Sequence, residues 1–116
     1  MESILTSIKK LLGIDESYNH FDVDLIVHIN SVLMILNQLG VGPTEGFVIE
    51  DSSATWGDFL PDSTKVKLEA AKTYVFLKVK LMFDPPTSSS VMEAYNRQIS
   101  ELEWRLNVAV DPAESM

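Results

Sequence analysis

At 116 residues, with hydrophobic residues at 46% and charged residues at 22%, the chain has the composition of one folded domain and not of a disordered or fibrous protein. Nine Lys and Arg against 17 Asp and Glu leave a formal charge of -8, so the molecule as a whole repels a phosphate backbone and tight DNA binding is not expected. The absence of cysteine removes disulfides, thiolate catalysis and the commonest structural zinc sites, and is compatible with a reducing cytoplasm.

Met1 to Ile14 lacks the uninterrupted apolar run of a signal peptide, and Glu2 is wrong for myristoylation, so neither secretion nor a lipid anchor is expected. Within it, Ser3 to Leu12 places Ile4, Leu5, Ile8, Leu11 and Leu12 on one helical stripe, with Gly13 as the stop. Lys9 and Lys10 fall off that stripe, which fits a membrane-surface helix less well than a core-facing helix with a solvated side.

Asp22 opens a second helix to about Leu39, with Leu25, Ile26, Ile29, Val32, Leu33, Leu36 and Leu39 on one face and Gly40 at its end. Its opposite face carries Asn30, Ser31, Asn37 and Gln38, and Val27 and Met34 form a thin second apolar line available to a neighbour. From Val41 to Pro61 the periodicity vanishes in a long connection that is still rich in large apolar residues, and Phe47 to Ile49 has the make-up of a short strand. Connections of this length in a small domain tend to be functional, and this one must pack on something.

Pro61 and Asp62 open a third helix that ends at Phe83, before Asp84, Pro85 and Pro86. Ser90 and Glu93 make a capping-box pattern that starts a fourth helix through about Val110, ahead of Asp111 and Pro112, and Ala113 to Met116 reads as a frayed end. The expected fold is therefore all-α, a small four-helix bundle with a long loop between helices 2 and 3, in one domain over residues 1–116. The longest greasy run, Tyr74 to Phe83, is interrupted by Lys78 and Lys80 and is too short to cross a bilayer, so a soluble protein is expected.

Chemistry is hard to find. Asp24 and His28 stand at i and i+4, but no third residue completes a metal site by spacing, so an ordinary surface pair is the better reading and no cofactor or metal is expected. Ser7 to Lys10 matches S-x-x-K without the companion motifs of serine acyl-enzymes, and Gly40 to Gly46 lacks the strand and the Lys-Ser/Thr ending of a phosphate loop. No enzyme is expected. A DNA-reading helix is opposed by the apolar character of the lysine-rich third helix.

That third helix carries large apolar residues in nearly every direction, which fits either the central helix of the bundle, with its lysines snorkelling to solvent, or a helix that also meets another subunit. In the fourth helix Val91, Tyr95, Ile99, Leu102, Leu106 and Ala109 form one stripe. Trp104 lies opposite, near Arg97, Glu101 and Val108, either as an interface anchor or covered by the long loop. The candidate interface residues are Phe47 and Trp56 of the loop, Lys72, Phe76 and Lys80 of the third helix, and Arg97 and Trp104 of the fourth. Lysines concentrated in one helix and acids elsewhere would suit a head-to-tail contact between identical subunits.

The stretch Ile29 to Pro43, reading INSVLMILNQLGVGP, together with Ser53-Ala54-Thr55-Trp56, Tyr74 to Pro86 with its closing Phe-Asp-Pro-Pro, and Asn96 to Ala109, resembles the head-tail connector, or adaptor, proteins of siphophages, often labelled DNA-packaging proteins. The likeness spans nearly the whole chain. It implies a helical, non-enzymatic component of the virion neck, assembled in the host cytoplasm as a ring of itself, commonly twelve copies. Such a ring sits beneath the portal protein, extends the channel through which double-stranded DNA passes without specific binding, and offers a platform to a downstream head-completion or tail protein. The resemblance also implies that the C-terminal segment approaches the portal. The rival readings are a non-ring helical adaptor or regulatory module that binds one protein partner, and a small DNA-binding protein.

Overall fold

The computed structural model describes residues 2–110, with side chains through Asn107. Asp111, Pro112 and Ala113–Met116 lie outside the described residues, as do the side chains of Val108, Ala109 and Val110. Helix α1 spans Ile4–Leu11, α2 Asp22–Gln38, α3 Trp56–Phe59, α4 Lys65–Phe83 and α5 Ser89–Val110. The all-α fold is as expected, and the one added element, α3, is a single turn inside the long connection.

Local chemistry sets the helix ends. The Ser3 hydroxyl accepts the Thr6 amide and caps α1. Gly40, at φ 84°, takes the left-handed conformation that closes α2: the Val41 amide donates to Leu36 O at 2.8 Å and the Gly40 amide to Asn37 O at 3.0 Å. Val41 and Leu36 are both buried, which supplies the apolar contact that accompanies this ending. The same pair of bonds, Ile14 to Lys9 and Gly13 to Lys10, ends α1.

Three starts differ from expectation. Asp22 does not cap α2: the cap position is Phe21, without a side-chain bond, and Asp22 lies in the first turn. Helix α4 begins at Lys65 behind a Thr64 cap, because Pro61 to Ser63 turn back on Leu60 through the Ser63 amide. At α5 the hydroxyl that accepts an amide, that of Val91, belongs to Ser88 and not Ser90. The capping box forms elsewhere, at α3, where Thr55 Oγ1 accepts the Asp58 amide at 3.1 Å and Asp58 Oδ2 accepts the Thr55 amide at 2.9 Å.

Helix α4 is the centre of the fold, packed against α1, α2 and α5. Its Ala71, Tyr74, Val75, Leu77 and Val79 are buried, so the reading of it as a central helix accounts for most of its apolar surface. The core is completed by Leu25, Ile29, Val32, Leu33 and Leu36 of α2, Ile4 and Ile8 of α1, Trp56 and Phe59 of α3, and Ile99 and Leu106 of α5. Leu11 and Val91, placed on core stripes by periodicity, are exposed, each in an end turn of its helix.

Candidate assembly surfaces

The long connection is held by side chains, and this decides which surfaces remain open. Asn30 of α2 pairs edge to edge with the backbone of Ile49: its Nδ2 donates to Ile49 O at 3.0 Å and its Oδ1 accepts the Ile49 amide at 2.8 Å. The expected strand at Phe47 to Ile49 is therefore absent; an asparagine amide takes the place of a partner strand. Asn37 Nδ2 donates to Pro43 O at 2.9 Å, and Gly42, at φ 93°, lies so close to Phe59 that a Cβ there would collide with the ring.

The N-terminus clamps the other end of this connection. Ile4 N donates to Ala54 O, and Trp56 N to Glu2 O. Trp56 itself is fully buried, and its indole N–H donates to Ser7 Oγ at 2.7 Å, while that hydroxyl donates to Ile4 O at 3.0 Å. Ser7 and Trp56 thus satisfy each other inside the core. The Ser7 hydroxyl does not approach Lys10, which is exposed and paired with Glu2 at 3.5 Å.

Lys9 corrects the expectation of a solvated side. It is 2% exposed, with its ammonium 2.9 Å from Asp22 Oδ1 and donating to Glu16 O at 2.9 Å. The segment from Gly13 to Phe21 folds over it, a long-range event that a 100° period cannot report. Across the bundle, the buried Tyr74 hydroxyl donates to Glu103 Oε2 at 2.7 Å and ties α4 to α5. Burial, then that hydrogen bond and the charge of Glu103, push the phenol well above its usual ionisation range. Asp15 and Asp51 are held below the usual carboxylate range, first by hydroxyl bonds from Ser17 and Ser53 and then by the amides of the same residues.

Several large apolar side chains among the described residues face water, on α2, α4 and α5. On α2, Val27 is 58% and Met34 59% exposed; with Ser31, Phe47 and Val48 they line a groove of about 620 Å³ between the helix and the 43–48 segment. On α5, Trp104 is 67% exposed. It sits about 200° around the helix from Leu106 and about 140° from Ile99, so it points away from α4. The long loop does not cover it. Val66, also exposed, stands at a cleft of about 400 Å³ between α4 and α5 that includes Lys67, Leu102 and Arg105.

The seven candidate interface residues do not form one site. Phe47 packs on Phe59 and lines the α2 groove. Trp56 belongs to the interior and offers no outer surface. Lys72 pairs with Glu2 and Glu69, and the partly buried Phe76 lies beside it at a shallow pocket with Leu11. Lys80 pairs with Asp84 at 2.8 Å. Arg97 and Trp104 share the outer face of α5, while Arg105, paired with Glu101 at 2.7 Å, borders the cleft between α4 and α5. Val48 also lines the α2 groove, and no periodicity in its stretch of sequence marks it.

Among the described residues no group of three or more His, Cys, Asp and Glu converges as a metal site, and Asp24 and His28 acquire no third ligand. No described helix is long and apolar enough to cross a membrane. A model of a protein family described as phage connector protein matches residues 4–113. No curated protein and no solved structure matches the chain.

Proposed function

Because the chain belongs to the phage connector protein family, whose members are structural head-tail components rather than enzymes, we propose that it forms a ring beneath the portal, commonly of twelve copies, that extends the DNA channel and receives the next neck or tail protein. The observation that carries this reading is the pair of outward apolar surfaces on α2 and α5, left over after α4 has used the core-facing sides of both helices. The exposed Val27, Met34 and Val48 grouped around one groove have the character of a contact site, and a virion component has neighbours to cover it.

The charge of -8 suits the wall of a conduit. DNA that must run through a channel should not be gripped by it, and a surplus of carboxylates avoids the counterion-release gain that makes basic proteins hold phosphate backbones. Ring assembly in the host cytoplasm and residence at the virion neck follow from this role.

Adding the purified protein to portal-bearing heads and imaging them by electron microscopy tests the proposal. The expected result is a new annular layer beneath the portal with rotational symmetry. A single bound copy without such a layer would favour the non-ring adaptor.

A further inference from the structure

The helices are not equally committed to the core. In α2, Leu25, Ile29, Val32, Leu33 and Leu36 have no exposed surface, and α1 buries Ile4, Leu5, Ile8 and Lys9 while packing on α2 and α4. Helix α5 is longer than either, yet among its described side chains only Ile99 and Leu106 are buried, and from Ser89 to Gln98 none is. It packs along α4, and even that seam is incomplete, with the cleft of about 400 Å³ open beside Ala70 and Leu102.

The link before α5 is equally spare. The Asp84 amide ends α4 on Lys80 O, and the Ser88 carbonyl and hydroxyl accept the Met92 and Val91 amides of α5. Between those points no backbone hydrogen bond anchors the chain among the described residues, and Pro85 and Pro86 have no amide to give. Among the described residues two polar ties join α5 to the other elements. The Tyr74 hydroxyl donates to Glu103 at 2.7 Å, and the Asn107 amide reaches Leu39 O only at 3.5 Å, the outer limit of a hydrogen bond. The Glu101–Arg105 pair is internal to α5.

We infer that α5 is a hinged arm, which leaves α4 as one unit about the 84–88 link while α1 to α4 stay folded, and that the Tyr74–Glu103 bond is its latch. The contacts that close the core around Trp56, from its bond to Ser7 to the Lys9–Asp22 pair, involve no residue of α5. Segments with few buried apolar contacts open at lower free energy than the core they rest on. Release bares Tyr74, Ile99 and Leu106, so the closed arm keeps apolar surface of α4 out of reach until the latch opens. This holds for the single chain, whether or not it enters a ring.

Native-state hydrogen exchange of the intact chain, read by mass spectrometry over a series of low urea concentrations, tests the arm. A helix stripped of its packing is marginal in water, so released amides exchange. Peptides within Ser89 to Asn107 should exchange together, faster than those of α2 and with a weaker urea dependence, because release exposes less surface than global unfolding. Two conservative variants separate release from unfolding. Ile29→Val, outside the arm and its seat on α4, should speed α2 exchange by roughly three- to tenfold and leave α5 unchanged, since the opened state keeps the core that the change weakens. Tyr74→Phe weakens only the closed state and should speed both helices, by roughly tenfold or more. Equal acceleration of α5 and α2 by Ile29→Val, or one common rate for the two helices in the parent chain, would overturn the arm. So would α5 exchange graded inward from its ends, which is fraying and not release. An α5 rate unmoved by Tyr74→Phe would overturn the latch.

Discussion

Trp56 and Trp104 mark two regions built on opposite terms. Around Trp56, where α1, α3 and the long connection meet, buried polar groups find partners inside the chain: the indole N–H meets Ser7, the Lys9 ammonium meets Asp22 and Glu16 O, and the backbones of Glu2 and Ile4 pair with those of Trp56 and Ala54. The outer face of α5 makes only surface contacts, such as the Glu101–Arg105 pair, and leaves its indole in water. The first region holds the monomer together. The second contributes little to it and is free to serve an assembly.

The largest test of that division removes each indole in turn. Trp56→Ala should lower unfolding free energy by about 3–5 kcal/mol, through the cavity it leaves, as measured by urea denaturation. Trp104→Ala should stay within about 0.5 kcal/mol of the parent chain in the same assay. Equal losses would erase the distinction between the two regions.

Lys9→Ala comes next. It leaves the Asp22 carboxylate without its cation in a largely covered position, and a loss of roughly 3 kcal/mol is expected, at the lower end for a buried pair because Asp22 keeps some solvent. The neighbouring exposed pair of Lys10 and Glu2 provides the contrast: Lys10→Ala should cost less than about 1 kcal/mol.

The third test concerns the bond between α4 and α5. Tyr74→Phe removes a hydrogen bond to a carboxylate, with an expected loss of about 1.5–3 kcal/mol near neutral pH. The native fold holds the phenolic proton more tightly than the unfolded chain, whose tyrosine ionises near its ordinary value of 10.0. The phenol's contribution is therefore complete below that pH and declines as pH rises above it, so the parent chain should converge on Tyr74→Phe in alkaline denaturation scans. A constant gap between the two up to strongly alkaline pH would contradict this account of the bond.

Much of this architecture is legible in local chemistry. Gly13 and Gly40 announce helix ends because the left-handed closure favours glycine, and Asp84 with two prolines stops α4 where expected. The Thr55 to Asp58 spacing is likewise a capping-box pattern, and it starts α3. Other features are set by contacts distant along the chain. Nothing in the helical period shows that Lys9 lies beneath the 13–21 segment, or that Asn30, on a polar face, holds Ile49. For the same reason two tryptophans of identical chemistry could both stand as interface candidates, although the fold encloses one and exposes the other.

The most direct measurement is hydroxyl-radical footprinting of the free protein and of isolated necks, read by mass spectrometry at single residues. Trp104, Met34 and Val48 should be modified in the free protein and protected in the neck, while Trp56 is protected in both. Trp104 modified to the same extent before and after assembly would contradict the claim that the outer surface of this fold exists to be covered.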